Sequence, residues 1–104
     1  MSPTDRHDVI RHCVFRGRVQ GVGYRAFVED EATRRGLGGW VRNRRDGTVE
    51  ALFAADAATV VDMVAACRQG PLGARVDAVY QREGRAEELA QRGHGMAFAV
   101  LPTA

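Results

Sequence analysis

The 104 residues carry a formal net charge of +2, with 45% hydrophobic and 27% charged side chains. That is room for one domain with a single modest core; the balance excludes an intrinsically disordered chain and any strong positive field that would compel a nucleic-acid partner. No apolar run approaches the ~20 residues of a membrane span, and the opening MSPTDRHD lacks the charged start and apolar stretch of a secretory signal, which predicts a cytoplasmic protein without a membrane partner.

After a polar tail over residues 1–8, VIRHCVFRGRV alternates Val9, Arg11, Cys13 and Phe15 with Ile10, His12, Val14 and Arg16, and predicts a strand ending near Val19. From Tyr24 the period changes. Tyr24, Phe27, Val28 and Ala32 form the apolar stripe of a helix, with Glu29, Asp30, Arg34 and Arg35 on the other side, Gly36 as a left-handed cap and Leu37 as its apolar contact. GWVRNR and TVEALFA flank RDG, whose Asp46-Gly47 pair suits a tight turn between two strands. Asp56 caps a second helix in which Val60, Met63, Val64 and Cys67 keep helical spacing, and Gly70-Pro71 stops it. ARVDAVY (74–80) alternates as a fourth strand, QREGRAEELAQRGHG reads as a solvated connection, and MAFAVL (96–101) as a short last strand before a tail at 102–104.

The order β-α-β-β-α-β plus a short final strand predicts an α+β fold, the ferredoxin-like split β-α-β sandwich, with an antiparallel sheet and both helices on one face over a single domain 9–101. This fold hosts many unrelated activities, so chemistry must be sought in particular residues.

All 15 basic residues are arginine, so any anion site is built from guanidinium, which suits phosphate or carboxylate. In RVQGVGYR (18–25), Gly21 and Gly23 let backbone N–H groups curl towards one point where a helix begins, and Arg25 stands at the exit. Taken alone, this is either an anion nest or a structural turn. In GWVRNRRDGTVE (39–50), Asn43 sits mid-strand, where an amide has poor β propensity; it is either a hairpin residue or a donor and acceptor able to hold a water. Arg42, Arg44 and Arg45 read as a solvated face, and Trp40 as packing. Cys13 and Cys67 have no metal or C-x-x-C spacing and read as buried small hydrophobes. No zinc motif, carboxylate cluster or P-loop lysine is present, and His7, His12 and His94 are scattered, so neither metal nor cofactor is predicted.

GRVQGVGYR followed by GWVRNRRDGTVE resembles the paired signature of the acylphosphatases, small ferredoxin-like hydrolases of carboxyl-phosphate anhydrides. The likeness extends to GP at 70–71, ARVDAV at 74–79 and FAV at 98–100, and covers nearly the whole chain from about Val9. It implies a phosphate cradle from the backbone of Gln20, Gly21, Val22, Gly23 and Tyr24, an Arg25 that binds the phosphoryl group, and an Asn43 that positions the attacking water. Tyr24 stands where the family often has phenylalanine. It also implies a metal-independent monomer acting on a small acyl phosphate, with no nucleic acid. Two other readings compete: a non-catalytic anion-binding or regulatory module, which needs the nest and Arg25 alone, and an RNA-binding domain. The last wants two or three exposed aromatics on central strands, for which Phe15 is the one candidate on the first strand.

Overall fold

The computed structural model describes residues 9–104, so the polar tail 1–8 with His7 lies outside the described residues. Within them the chain runs β1 (Val9–Arg18), α1 (Tyr24–Arg34), β2 (Gly38–Asn43), β3 (Val49–Ala55), α2 (Ala57–Gln69), β4 (Arg75–Glu83), α3 (Ala86–Leu89), a 3-10 turn (Ala90–Arg92) and β5 (Phe98–Val100).

The strands form one sheet in the order β4-β1-β3-β2-β5, the arrangement of the split β-α-β sandwich with β3 inserted between the parallel pair β1 and β2. β4, β1, β3 and β2 pair antiparallel in turn, as the sequence predicts, but the sheet is mixed: β5 runs parallel to β2, with Gly39 opposite Phe98 and Val41 opposite Val100. The reason is geometric. β4 ends beside the start of β1, the connection 84–97 crosses the sheet at that end, and β5 must therefore run back in the direction of β2.

Local chemistry sets the helix ends. α1 closes in a Schellman pair of hydrogen bonds, Leu37 N–H to the Ala32 carbonyl at 3.1 Å and Gly36 N–H to the Thr33 carbonyl at 3.0 Å, with Leu37 buried. α2 begins on Asp56, whose Oδ1 accepts from the Thr59 N–H at 2.7 Å. Tyr24, Val28 and Ala32 of α1 and Val60, Met63, Val64 and Cys67 of α2 are buried against Cys13, Phe15, Val41 and Phe53 of the sheet, the main core. Each fully buried Val or Phe there contributes about 1.5–3 kcal/mol.

The other face of the sheet is covered too. QREGRAEELAQRGHG is not simply a solvated connection: its first three residues extend β4, where Arg11 donates to Gln81 across the edge at 3.1 Å, and α3 then lies under the sheet. Trp40, Leu52 and Ala99 form a second core there with Leu89 and Leu101, and the Trp40 indole N–H donates to the Glu88 carbonyl at 2.7 Å. Leu89 is the one large apolar residue α3 contributes, too little to give a helical stripe in the sequence.

Candidate active site

Where β1 ends, buried Val19 anchors the chain and the backbone turns through residues 20–23 into α1. Gly21 and Gly23 have φ of 75° and 77°, a region that β-carbon-bearing residues rarely adopt. A Cβ at either would meet nothing within 4 Å, so the glycines are demanded by conformation and leave open space beside the loop. Gly23 is the N-cap of α1 and supplies no side-chain acceptor. Within the described residues, no backbone N–H from Gln20 to Ala26 finds a hydrogen-bond acceptor; Phe27 N–H, bonded to the Gly23 carbonyl at 3.1 Å, is the first that does.

The loop is held from the side by Gln20. Its Nε2 donates to the carbonyls of Arg44 and Thr48, both at 2.8 Å, tying the loop to the turn between β2 and β3. That turn is itself closed by Arg44 N–H to the Thr48 carbonyl at 2.9 Å, and by Asp46, whose Oδ1 accepts from the Thr48 hydroxyl and N–H. The hydroxyl bond, more than the N–H, holds the Asp46 carboxyl below its usual range. Sequence reasoning gave Gln20 a backbone part only; that its side chain bridges two loops has no local sequence signal.

A cavity of about 390 Å³ opens between the start of α1 and the ends of β2 and β5. Gln20, Gly21, Gly23, Tyr24 and Arg25 line it on one side and Asn43 faces them across it, so residues from two distant motifs converge on one space. Val22 is not part of the lining; its side chain packs on the main core. Arg25 makes no ion pair with any described residue, which leaves its guanidinium for an anion. Asn43 is the last residue of β2 and not mid-strand, because pairing with β3 stops at Val49 where the five-residue turn begins. Its carbonyl accepts from the Ala104 N–H at 3.0 Å, and its side-chain Oδ1 is buried with no hydrogen-bond partner among the described residues. A buried amide oxygen without a donor is costly and suits a site that receives one.

Tyr24 does more than anchor an aromatic ring. Its hydroxyl donates to the Cys67 carbonyl at 2.7 Å in the main core, and burial pushes its ionisation well above the usual tyrosine range. In a regular helix that carbonyl would accept from residue 71, which is Pro71 and has no N–H. The tyrosine therefore replaces a missing helical donor and pins the loop end to α2.

The remaining charged groups lie elsewhere. Arg42 is not solvated: its Nε donates to Glu50 Oε1 at 2.6 Å and its guanidinium stacks on Trp40, 4.7 Å from the ring centroid, on the sheet face away from the cavity. His12 is buried on that same face, 2.6 Å from Glu50 Oε2, while His94 is exposed and none of these lines the cavity. Cys13 and Cys67 are free and buried, and burial raises the Cys13 thiol to about 12, which makes it an inert core residue. Among the described residues no three His, Cys, Asp or Glu side chains gather as metal ligands, and no helix is long and apolar enough to cross a membrane.

The same architecture recurs in known proteins. A family model described as Acylphosphatase matches residues 11–93. A protein of Bradyrhizobium diazoefficiens named Acylphosphatase is 60% identical over 94 residues, covering 90% of this chain and 95% of its own. One of the same name from Nitrobacter hamburgensis is 56% identical over 96 residues, covering 92% and 97%. The crystal structure of acylphosphatase from Bacillus subtilis superposes with a TM-score of 0.77 at 34% identity, over 89% of this chain and 98% of that one. With a match over most of its length in sequence and in fold, the chain belongs to the acylphosphatase family.

Proposed function

We propose that the chain hydrolyses the carboxyl-phosphate bond of small acyl phosphates, releasing a carboxylate and inorganic phosphate without a metal. The backbone N–H groups from Gln20 to Tyr24 and the Arg25 guanidinium hold the phosphoryl oxygens, at the N-terminus of α1 where the helix dipole adds about half a positive charge. Asn43 holds the attacking water. The observation that carries this reading is the Asn43 Oδ1, buried with no partner among the described residues, on a side chain that lines the same cavity as the cradle and Arg25. An anion-binding module without hydrolysis has no use for that atom.

The chemistry needs little more. Water oxygen attacks phosphorus, the bond from phosphorus to the acyl oxygen breaks, its electron pair leaves on the carboxylate, and a phosphate oxygen takes the proton of the water. A carboxylic acid has a pKa of about 4, so the leaving group departs without a general acid. Phosphoryl transfer through a loose transition state rests on positioning and charge stabilisation, which N–H groups, a guanidinium and an oriented amide supply. None of the described residues lining the cavity is a histidine, and the chemistry asks for none.

The finer assignments follow the same residues. Every group invoked comes from one chain, which supports a monomeric enzyme built as one domain over residues 9–101. Phe15 and Trp40 are buried and cannot stack on bases, which supports a protein without a nucleic-acid partner. Two free buried thiols suit a reducing cytoplasm.

The test is phosphate release from benzoyl phosphate in chelator by wild type, Arg25→Ala and Asn43→Ala. Arg25→Ala should lose roughly 10²–10³ in kcat with weaker binding, and Asn43→Ala should lower kcat with less effect on KM. Wild-type kcat in Asn43→Ala would overturn the assignment of the water, and phosphate binding without turnover in wild type would overturn hydrolysis.

A further inference from the structure

The cavity is longer than its phosphoryl end. Beyond Arg25 it continues along α1 past Ala26 to Glu29, and Val100 of β5 also lines it. Glu29 stands one turn along the same face of α1 from Arg25, about 6 Å further from the helix start. Val100 ends β5 opposite Val41, two residues before Asn43 and on the same face of β2. Both are displaced from the cradle in one direction, so the space runs as a groove between α1 and β5, two elements that pack together.

Glu29 is set apart by what it does not touch. Oppositely charged residues three or four apart on a helix ordinarily pair, and Glu31 does so with Arg34 and Arg35, at 2.8 and 3.0 Å. The Glu29 carboxylate makes no ion pair or hydrogen bond with any described residue, although Arg25 is four residues away. Val100 is exposed where it borders the groove, so its apolar surface and the carboxylate are both available to whatever lies there.

We infer that this groove receives the acyl part of the substrate and that Glu29 selects its charge. The inference rests on the hydrolytic reading above. Short apolar acyl chains, and chains ending in a cation, lie along Val100 with their far end at Glu29; chains ending in a second carboxylate meet a like charge there and are disfavoured. A carboxylate placed within about 8 Å of Glu29, at a dielectric between that of the protein surface and of water, costs roughly fivefold in kcat/KM.

Butyryl phosphate and succinyl monophosphate test this, because they have the same chain length and differ in a terminal methyl against a carboxylate. Their kcat/KM ratio cancels whatever a charge change at residue 29 does to the phosphoryl end. Wild type should favour butyryl phosphate roughly fivefold, Glu29→Gln should bring the ratio close to one, and Glu29→Lys should reverse it. A ratio near one in wild type, or one that Glu29→Gln leaves in place, overturns the inference. The corresponding acyl phosphonates, titrated calorimetrically, read the same preference without turnover. Charge-dependent phosphonate binding in a protein that hydrolyses neither acyl phosphate would overturn the hydrolytic reading and leave the groove standing; hydrolysis with a ratio indifferent to residue 29 would do the reverse.

Discussion

Replacing Tyr24 with phenylalanine removes one oxygen and nothing else, and it isolates what the hydroxyl contributes. The Cys67 carbonyl sits at the end of α2, its regular donor position is occupied by Pro71, and Tyr24 Oη–H fills that role at 2.7 Å inside the core. Without the hydroxyl the carbonyl is stranded away from water, a loss of about 1–3 kcal/mol. In a chain of 104 residues that corresponds to a fall in Tm of about 4–12 °C, with the urea midpoint lowered and the m-value unchanged. Tyr24 is also the last residue of the proposed cradle and the first of α1, so a freer ring loosens the loop as well, and kcat/KM for benzoyl phosphate should drop about two- to tenfold. Thermal and urea unfolding followed by circular dichroism measure the first effect and initial rates the second. If Tyr24→Phe matched wild type in Tm and urea midpoint, the carbonyl would have another donor and the reasoning from Pro71 would be wrong.

Other outcomes follow from the same geometry. Gln20→Glu should destabilise more than Gln20→Ala, since a carboxylate cannot donate to the carbonyls of Arg44 and Thr48 and meets two acceptors at close range; equal urea midpoints would show that the amide bridge is not what holds the loop. Acid should weaken the fold. The Arg82 hydrogen bond, ahead of the Arg85 N–H, draws the Glu88 carboxyl down to about 2; burial of Glu50 opposes its ionisation, yet Arg42 and His12 outweigh that and lower it as well. Both groups take up protons more readily in the unfolded chain, so their stabilisation is present above about pH 4.5 and is lost as pH falls towards 2. Tm measured from pH 6 to 2.5 should decline, and less steeply in Glu88→Gln; a wild-type Tm flat across that range contradicts it. Simple alkyl phosphate monoesters should be turned over poorly, because their alkoxide leaving groups need an acid at the bond that breaks, and Glu29, the one carboxyl among the described residues lining the cavity, stands a helical turn beyond Arg25; efficient turnover in chelator would refute the mechanism.

What could be read in the sequence was whatever leaves a periodic or local trace. The stripes Val28–Ala32 and Val60–Met63–Val64–Cys67 mark helices because each buries one face, and the αL glycines flank turns because no other residue takes that backbone at low cost. Arg25 and Asn43 pair in the sequence through family resemblance alone: spacing leaves each of them an ordinary alternative, and their meeting across one cavity depends on β1 and β2 running parallel, which is a property of the whole sheet. The parallel docking of β5 was illegible for a related reason. Three residues carry no direction of their own, and the direction was fixed by where β4 ended.

Three of the side chains that escaped are of one kind. Gln20, Tyr24 and Trp40 each donate to a backbone carbonyl 24 to 48 positions away. A carbonyl is present at every residue, so an acceptor of this sort adds nothing to the local pattern, and the donor reads as an ordinary loop amide or core aromatic. Yet these three donors divide the work in a way the reaction requires. Gln20 and Tyr24 hold the loop between β1 and α1 from opposite ends, against the hairpin and against α2, so that its N–H groups stay fixed while unsatisfied. Trp40 secures the far face of β2, where Arg42, Glu50 and His12 satisfy one another away from the cavity. The strand that carries Asn43 is thereby polar and paired on one side and left with an unpartnered oxygen on the other. A cradle of unpaired donors facing an unpaired acceptor persists when its supports are satisfied elsewhere, and in this chain those supports lie on three different elements.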